Sequence, residues 1–124
     1  MTGGQEKPVQ ARITMGKFAN VDMRVAEVVA APLAEGTARP CRVIELYLGH
    51  LGTLTSVGQY ALVAEEELVG RNVVACVNLA PREMGPYTSE ALVLGTPHPE
   101  SPADQSQAIP LYASALSSPG DQIY

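Results

Sequence analysis

A mainly β fold, a small barrel of about five strands, is the class this sequence predicts, on three observations. Short runs rich in apolar and β-branched residues alternate with breaks containing Gly and Pro. Helical patterning is confined to brief stretches. A chain of 124 residues suits one domain with a real but small core.

Residues 1–11 read as a flexible tail and 12–124 as the single domain. Arg12 to Ala19 has the pattern of a short helical lead-in. Val21, Met23 and Val25 then alternate with Asp22 and Arg24, as on a half-buried strand. The run Val28-Val29-Ala30-Ala31 breaks that phase, which predicts a bulge or a bent strand. Pro32 to Pro40 is a loop. A second strand, Val43 to Leu48, places Ile44, Leu46 and Leu48 on one face, and a third follows around Leu54 to Val57. Ala64-Glu65-Glu66-Glu67-Leu68 reads as a helical turn whose acids suit a helix amino end, and Gly70 stops it. Arg71 to Leu79 is the central strand, with Val73, Ala75, Val77 and Leu79 on one face. Pro81 to Pro86 turns the chain, and Glu90 to Leu94 returns as strand. Thr96 to Pro102 reads as an exposed, mobile loop, Ile109 to Tyr112 as a last short strand, and Ser118 to Asp121 as a turn. The layout is that of an OB-type barrel. By pattern alone an SH3-like barrel or another small β fold meets it nearly as well.

Composition narrows the chemistry. A formal net charge of −5, with Lys7 and Lys17 the two lysines, argues against strong nonspecific nucleic-acid binding, which depends on cations releasing counterions from phosphate. A local basic patch remains compatible, since binding is local and net charge is a sum. No run approaches the roughly 20 apolar residues of a membrane span, and the amino end lacks a signal-peptide layout. Cys41 and Cys76, in no paired ligand spacing, read as reduced structural thiols of a cytoplasmic protein. His50 and His98 are isolated surface residues. No phosphate loop or nucleophile elbow is present, and Glu65-Glu66-Glu67 reads as a solvated helix start. The expectation is a binding protein with no catalytic residues, metal or cofactor.

Three segments carry a resemblance. Phe18-Ala19-Asn20-Val21-Asp22-Met23-Arg24-Val25 resembles the opening strand of the tRNA-binding OB-fold domain family, a Phe followed by Val-Asp-Ile/Met-Arg-Val. Glu66-Glu67-Leu68-Val69-Gly70-Arg71, continuing to Val77-Asn78-Leu79-Ala80-Pro81-Arg82, matches the family's Glu-Glu-Leu-hydrophobic-Gly-basic run and its Asn-Leu/Phe-x-Pro-Arg turn. Ser89-Glu90-Ala91-Leu92-Val93-Leu94-Gly95 has the form of the CsaA-type branch. Order and spacing agree from Phe18 to Gly95, and Pro119 to Ile123 resembles the closing turn.

The resemblance implies a five-stranded OB-fold barrel with short flanking helices and terminal extensions, a homodimer, and binding without catalysis. The wider family binds tRNA by its shape, and the CsaA branch is also described as an export-related chaperone for unfolded or precursor peptides. Some members are attached to synthetases, so a protein partner of that kind is a third reading. By motif position Asn78, Arg82 and Ser89 carry over. Arg82 suits charge-assisted bonds to phosphate, and Asn78 and Ser89 suit sugar or base edges. Tyr87 between them suits stacking on a base. Their structural alternatives are turn closure for Asn78 and Ser89 and pairing with Glu83 or Glu90 for Arg82. The chain departs from the CsaA pattern before the third strand, where Thr53-Leu54-Thr55-Ser56 keeps Ser56 without the usual lysines. It departs again at Arg42-Val43, where a Tyr-Lys pair is usual. Arg39 and Arg42 are the remaining candidate phosphate contacts.

Overall fold

The computed structural model describes residues 7–124, so part of the expected 1–11 tail lies outside the described residues. After a four-residue helix, α1 (Met15–Phe18), the chain forms β1 (Met23–Ala30), β2 (Arg42–Tyr47) and β3 (Thr53–Gly58). A second short helix, α2 (Glu65–Leu68), leads into β4 (Asn72–Cys76). The remaining strands are β5 (Arg82–Met84), β6 (Tyr87–Ser89), β7 (Leu92–Val93), β8 (Gly95–Pro97), β9 (Ala108–Pro110) and β10 (Gln122–Ile123).

The main sheet runs β3-β2-β1-β4-β7, with β10 also on β1, and every pairing is antiparallel. The expected bulge is present. Val28 faces Leu46 and Ala30 faces Glu45, so Val29 is the extra residue and points outward. The bend lets one strand serve both halves of a barrel, pairing β4 with its first part and β2 with its second. The barrel closes where the Glu90 N–H donates to the Thr55 carbonyl at 2.7 Å. There the Thr55 N–H returns a bond to Glu90 Oε1 at 3.0 Å, and the Val57 N–H donates to Ser89 Oγ at 2.9 Å. The result is a nearly closed five-strand barrel with two short helices, the mainly β class read from the sequence.

Inside lie Ala26, Val28, Ile44, Leu46, Leu48, Leu68, Val73, Ala75 and Val93. Ile44, Leu46 and Leu48 are all buried, as the alternation in β2 requires. The central strand is shorter than its apolar run suggested. Val77 still packs on the core, but Leu79 is exposed. The chain leaves the sheet there because Asn78 bonds outside it, accepting from the Asp22 N–H at 2.9 Å and donating to the Asn20 carbonyl at 2.7 Å. Cys41 and Cys76 are buried and unpaired; burial raises the Cys41 thiol pKa, with a smaller opposing contribution from Thr37.

The segment read as an exposed, mobile loop is mostly exposed, and it is tied down at its base. Gly95–Pro97 pairs with Ala108–Pro110, and the connection between them folds back on Gln107, which is 1% exposed. Its Oε1 accepts from the Ala61 N–H at 2.9 Å, and its Nε2 donates to the Pro40 carbonyl at 2.8 Å. A lone glutamine in a Pro-rich run gives no periodic signal, so this anchor was not legible from pattern. No helix among the described residues is long and apolar enough to cross a membrane.

Tyr60 links the core to pH. Its hydroxyl donates to the Val93 carbonyl at 2.6 Å, and burial raises its pKa from 10.0 to about 12. The folded value lies above the unfolded one, so this contribution is complete below pH 10 and is lost as pH rises toward 12. Chemical denaturation across that window should show stability falling by roughly 2–3 kcal/mol. Tyr60→Phe should remove this part of the slope; an unchanged alkaline slope in the variant would contradict the assignment.

Candidate functional site

The segment expected only to turn the chain forms a two-stranded hairpin, β5–β6, on the rim of the barrel. Arg82 faces Ser89, Glu83 faces Thr88, and Met84 faces Tyr87. Gly85 makes the tip, at φ +58. A Cβ there would collide with the Gly36 carbonyl, so the left-handed backbone and the tight approach both call for glycine. The hairpin thereby rests on the loop before β2. The Glu35 N–H donates to the Tyr87 hydroxyl at 3.2 Å, and exposed Arg39 belongs to the same loop. Arg82, Tyr87 and Ser89 therefore share one hairpin, with Arg39 in the loop that supports it.

Arg82 is exposed, and its guanidinium makes no hydrogen bond or ion pair among the described residues. Its two expected acidic neighbours are occupied elsewhere. Glu83 accepts from the Thr88 hydroxyl at 2.9 Å, and Glu90 accepts from the Thr55 N–H. Beside it a small pocket of about 70 Å³ is lined by Leu79, Met84, Ala91 and Leu92 as well as Arg82. These apolar neighbours escaped the sequence reading. Strand alternation either side of Gly85-Pro86 was the signal available for Met84.

The other predicted contacts take structural roles. Arg42 is 7% exposed. Its Nε donates to the carbonyls of Tyr60 at 3.2 Å and Val63 at 3.0 Å, and Nη1 to Ala31 at 2.8 Å. Ser56, at 1% exposed, sits inside the barrel wall opposite Ile44. Arg42 and Ser56 therefore do not offer a surface for phosphate, because β2 and β3 turn both side chains inward. Asn78 latches the approach to β1. The Ser89 hydroxyl accepts from Val57 and donates to the Ala91 carbonyl at 3.2 Å, so it closes the barrel beneath Arg82.

Fold and hairpin together define an OB-type barrel that carries an exposed arginine beside a small, largely apolar pocket on its rim. No family model matches the chain. The methionine–tRNA ligase of Thiobacillus denitrificans is 37% identical over 100 residues, which is 80% of this chain and 14% of that protein. The chain thus spans a small part of that relative's length. The crystal structure of chaperone CsaA from Bacillus anthracis superposes with a TM-score of 0.79 at 29% identity, covering 92% of this chain and all of the other (100%). The CsaA chaperone protein of Picrophilus torridus gives a TM-score of 0.76 at 25% identity over 91% of this chain and 100% of the other. The chain belongs to the tRNA-binding OB-fold domain family, in its CsaA-type branch.

Proposed function

We propose that the chain is a non-catalytic binding domain of the cytoplasm, with 12–124 as one unit, that docks tRNA or another structured RNA as a homodimer. The observation that carries this reading is the unpaired, exposed Arg82 on the β5–β6 hairpin, with both nearby carboxylates engaged elsewhere. A guanidinium in that state is ready for bidentate bonds to phosphate. Tyr87 on the facing strand offers a ring for stacking, and Arg39 adds a second exposed cation. Asn78 and Ser89 serve by holding the strand ends in place. Similarity to a methionine–tRNA ligase supports the choice of RNA.

Homodimerisation is supported by α1, which buries none of its residues. Met15 is 78% exposed, and Phe18 and Val21 lie exposed beside it. A second copy would cover this apolar lead-in.

Fluorescence anisotropy with labelled tRNA at low and moderate salt tests the reading, with sedimentation velocity on the same samples reporting the dimer. Arg82→Ala should weaken binding by about tenfold at low salt and flatten the dependence of log affinity on log salt by about one unit. Binding no tighter than that of an acidic control protein would sink the RNA reading. A second reading, a site for unfolded or precursor peptides, is favoured by the apolar Leu79, Met84 and Leu92 beside Arg82 and by the likeness to the chaperone CsaA of Bacillus anthracis. It predicts suppressed aggregation of a model unfolded protein, independent of added salt.

A further inference from the structure

A polar groove of about 410 Å³ lies between the start of β4 and the segment that follows Tyr112. Glu27, Arg71, Asn72, Ala113, Ser117 and Pro119 are among its walls. It was assembled by folding alone, since these residues come from three separate parts of the chain. Its floor is fixed. Glu27 faces Asn72 across β1 and β4, and Asn72 Nδ2 donates to the carbonyls of Ser114 at 3.3 Å and Ser117 at 3.0 Å.

Both charged groups are unpaired, and the cation is held. The Arg71 guanidinium lies over the Tyr112 ring, 3.7 Å from its centroid, and the Tyr112 hydroxyl donates to the Glu67 carbonyl at 2.9 Å. That stack fixes the cation's position without using its N–H donors. Among the described residues neither the Arg71 guanidinium nor the Glu27 carboxylate makes a hydrogen bond or ion pair, and the two do not pair with each other. The groove therefore offers a donor fork and an acceptor pair that do not pair with each other.

We propose that this groove is a guanine-binding site, separate from the Arg82 hairpin. Guanine carries two acceptors, O6 and N7, on one edge, and that edge matches an arginine fork. Its adjacent edge carries two donors, N1–H and N2–H, which match a carboxylate. Adenine and uracil mix donors with acceptors along these edges, so each would set a like group against Glu27 or Arg71, and cytosine offers the carboxylate a single donor group, N4–H2, in place of two. The inference deepens the RNA reading by naming a base, and it rests on that reading only for its biological setting.

The test uses the isotope-labelled full chain and guanosine monophosphate, with adenosine monophosphate and inorganic phosphate as controls. The guanine nucleotide should produce saturable amide shifts at Arg71, Asn72, Ala113 and Ser117, and the controls should not. Glu27→Gln, whose amide replaces one acceptor by a donor, should weaken that binding by about tenfold or more while leaving the rest of the spectrum in place. Equal shifts with both nucleotides, or no saturation with the guanine nucleotide, would overturn the proposal. So would saturation by a lysyl-aspartate dipeptide in its place, which would mark the groove as a peptide site. tRNA anisotropy in parallel separates the two claims. Guanine binding without tRNA binding keeps this site and removes the RNA reading, whereas tRNA binding without guanine binding does the reverse.

Discussion

Arg42→Met should destabilise the domain by about 3–5 kcal/mol, a large fraction of the stability of a small fold. The side chain is a buried cation that makes no ion pair among the described residues and is solvated by three carbonyl dipoles from Ala31, Tyr60 and Val63. Methionine matches much of the stem but donates nothing. The Tyr60 carbonyl keeps its bond from the Val63 N–H at 3.2 Å. The Ala31 and Val63 carbonyls have no other partner among the described residues, and a buried acceptor left without one costs roughly 1–3 kcal/mol. These bonds join the end of β1 to the connection between β3 and α2, so the loss spreads over two joints. Denaturant titration of the variant checks it. A midpoint close to that of the parent would mean that Arg42 is solvated and free for a ligand after all.

Gln107→Leu should have the next largest effect, about 2–4 kcal/mol. Leucine fills similar space but strands the Ala61 N–H and the Pro40 carbonyl, which Gln107 serves at 2.9 Å and 2.8 Å. The consequence is also local. With the anchor gone, the connection between β8 and β9 loses its attachment to the barrel and should open at low free-energy cost. Amide exchange at Ala61 and His98 should speed up far more than exchange in β1 or β4. Uniform acceleration across the chain would show that Gln107 only adds to global stability.

The barrel was legible in the sequence wherever period-two alternation met a one-sided interior. Ile44, Leu46 and Leu48 announced their face, and the broken phase at Val28–Ala31 announced the bulge that the register confirms. Elements set by individual side chains were less legible. The hairpin at Arg82–Ser89 depends on a glycine tip seated against Gly36, a contact between distant segments. The brief pairing of Gln122–Ile123 with β1 is too short for any periodicity. Among the candidate contacts, Arg42 stands out by its charge and Ser56 by its place in the motif, but β2 and β3 direct both inward. Charge count could not reveal this, because a guanidinium satisfied by carbonyls leaves no acidic partner to find in the sequence. The Arg71–Tyr112 stack was hidden for a similar reason, since its members meet only once the late segment has crossed β4.

The attachment of β10 to β1 has a consequence for the order in which the molecule is built. Met23 pairs with Ile123 and Arg24 with Gln122, and the Val25 N–H donates to the Asp121 carbonyl at 2.9 Å. These partners are about 100 residues apart in the chain, a long loop to close before its contacts repay the lost entropy. During synthesis this edge of the first strand must wait, with its amides unpaired, until Gln122 and Ile123 have emerged from the ribosome. For that interval the growing chain carries an open strand edge of the kind that recruits other strands.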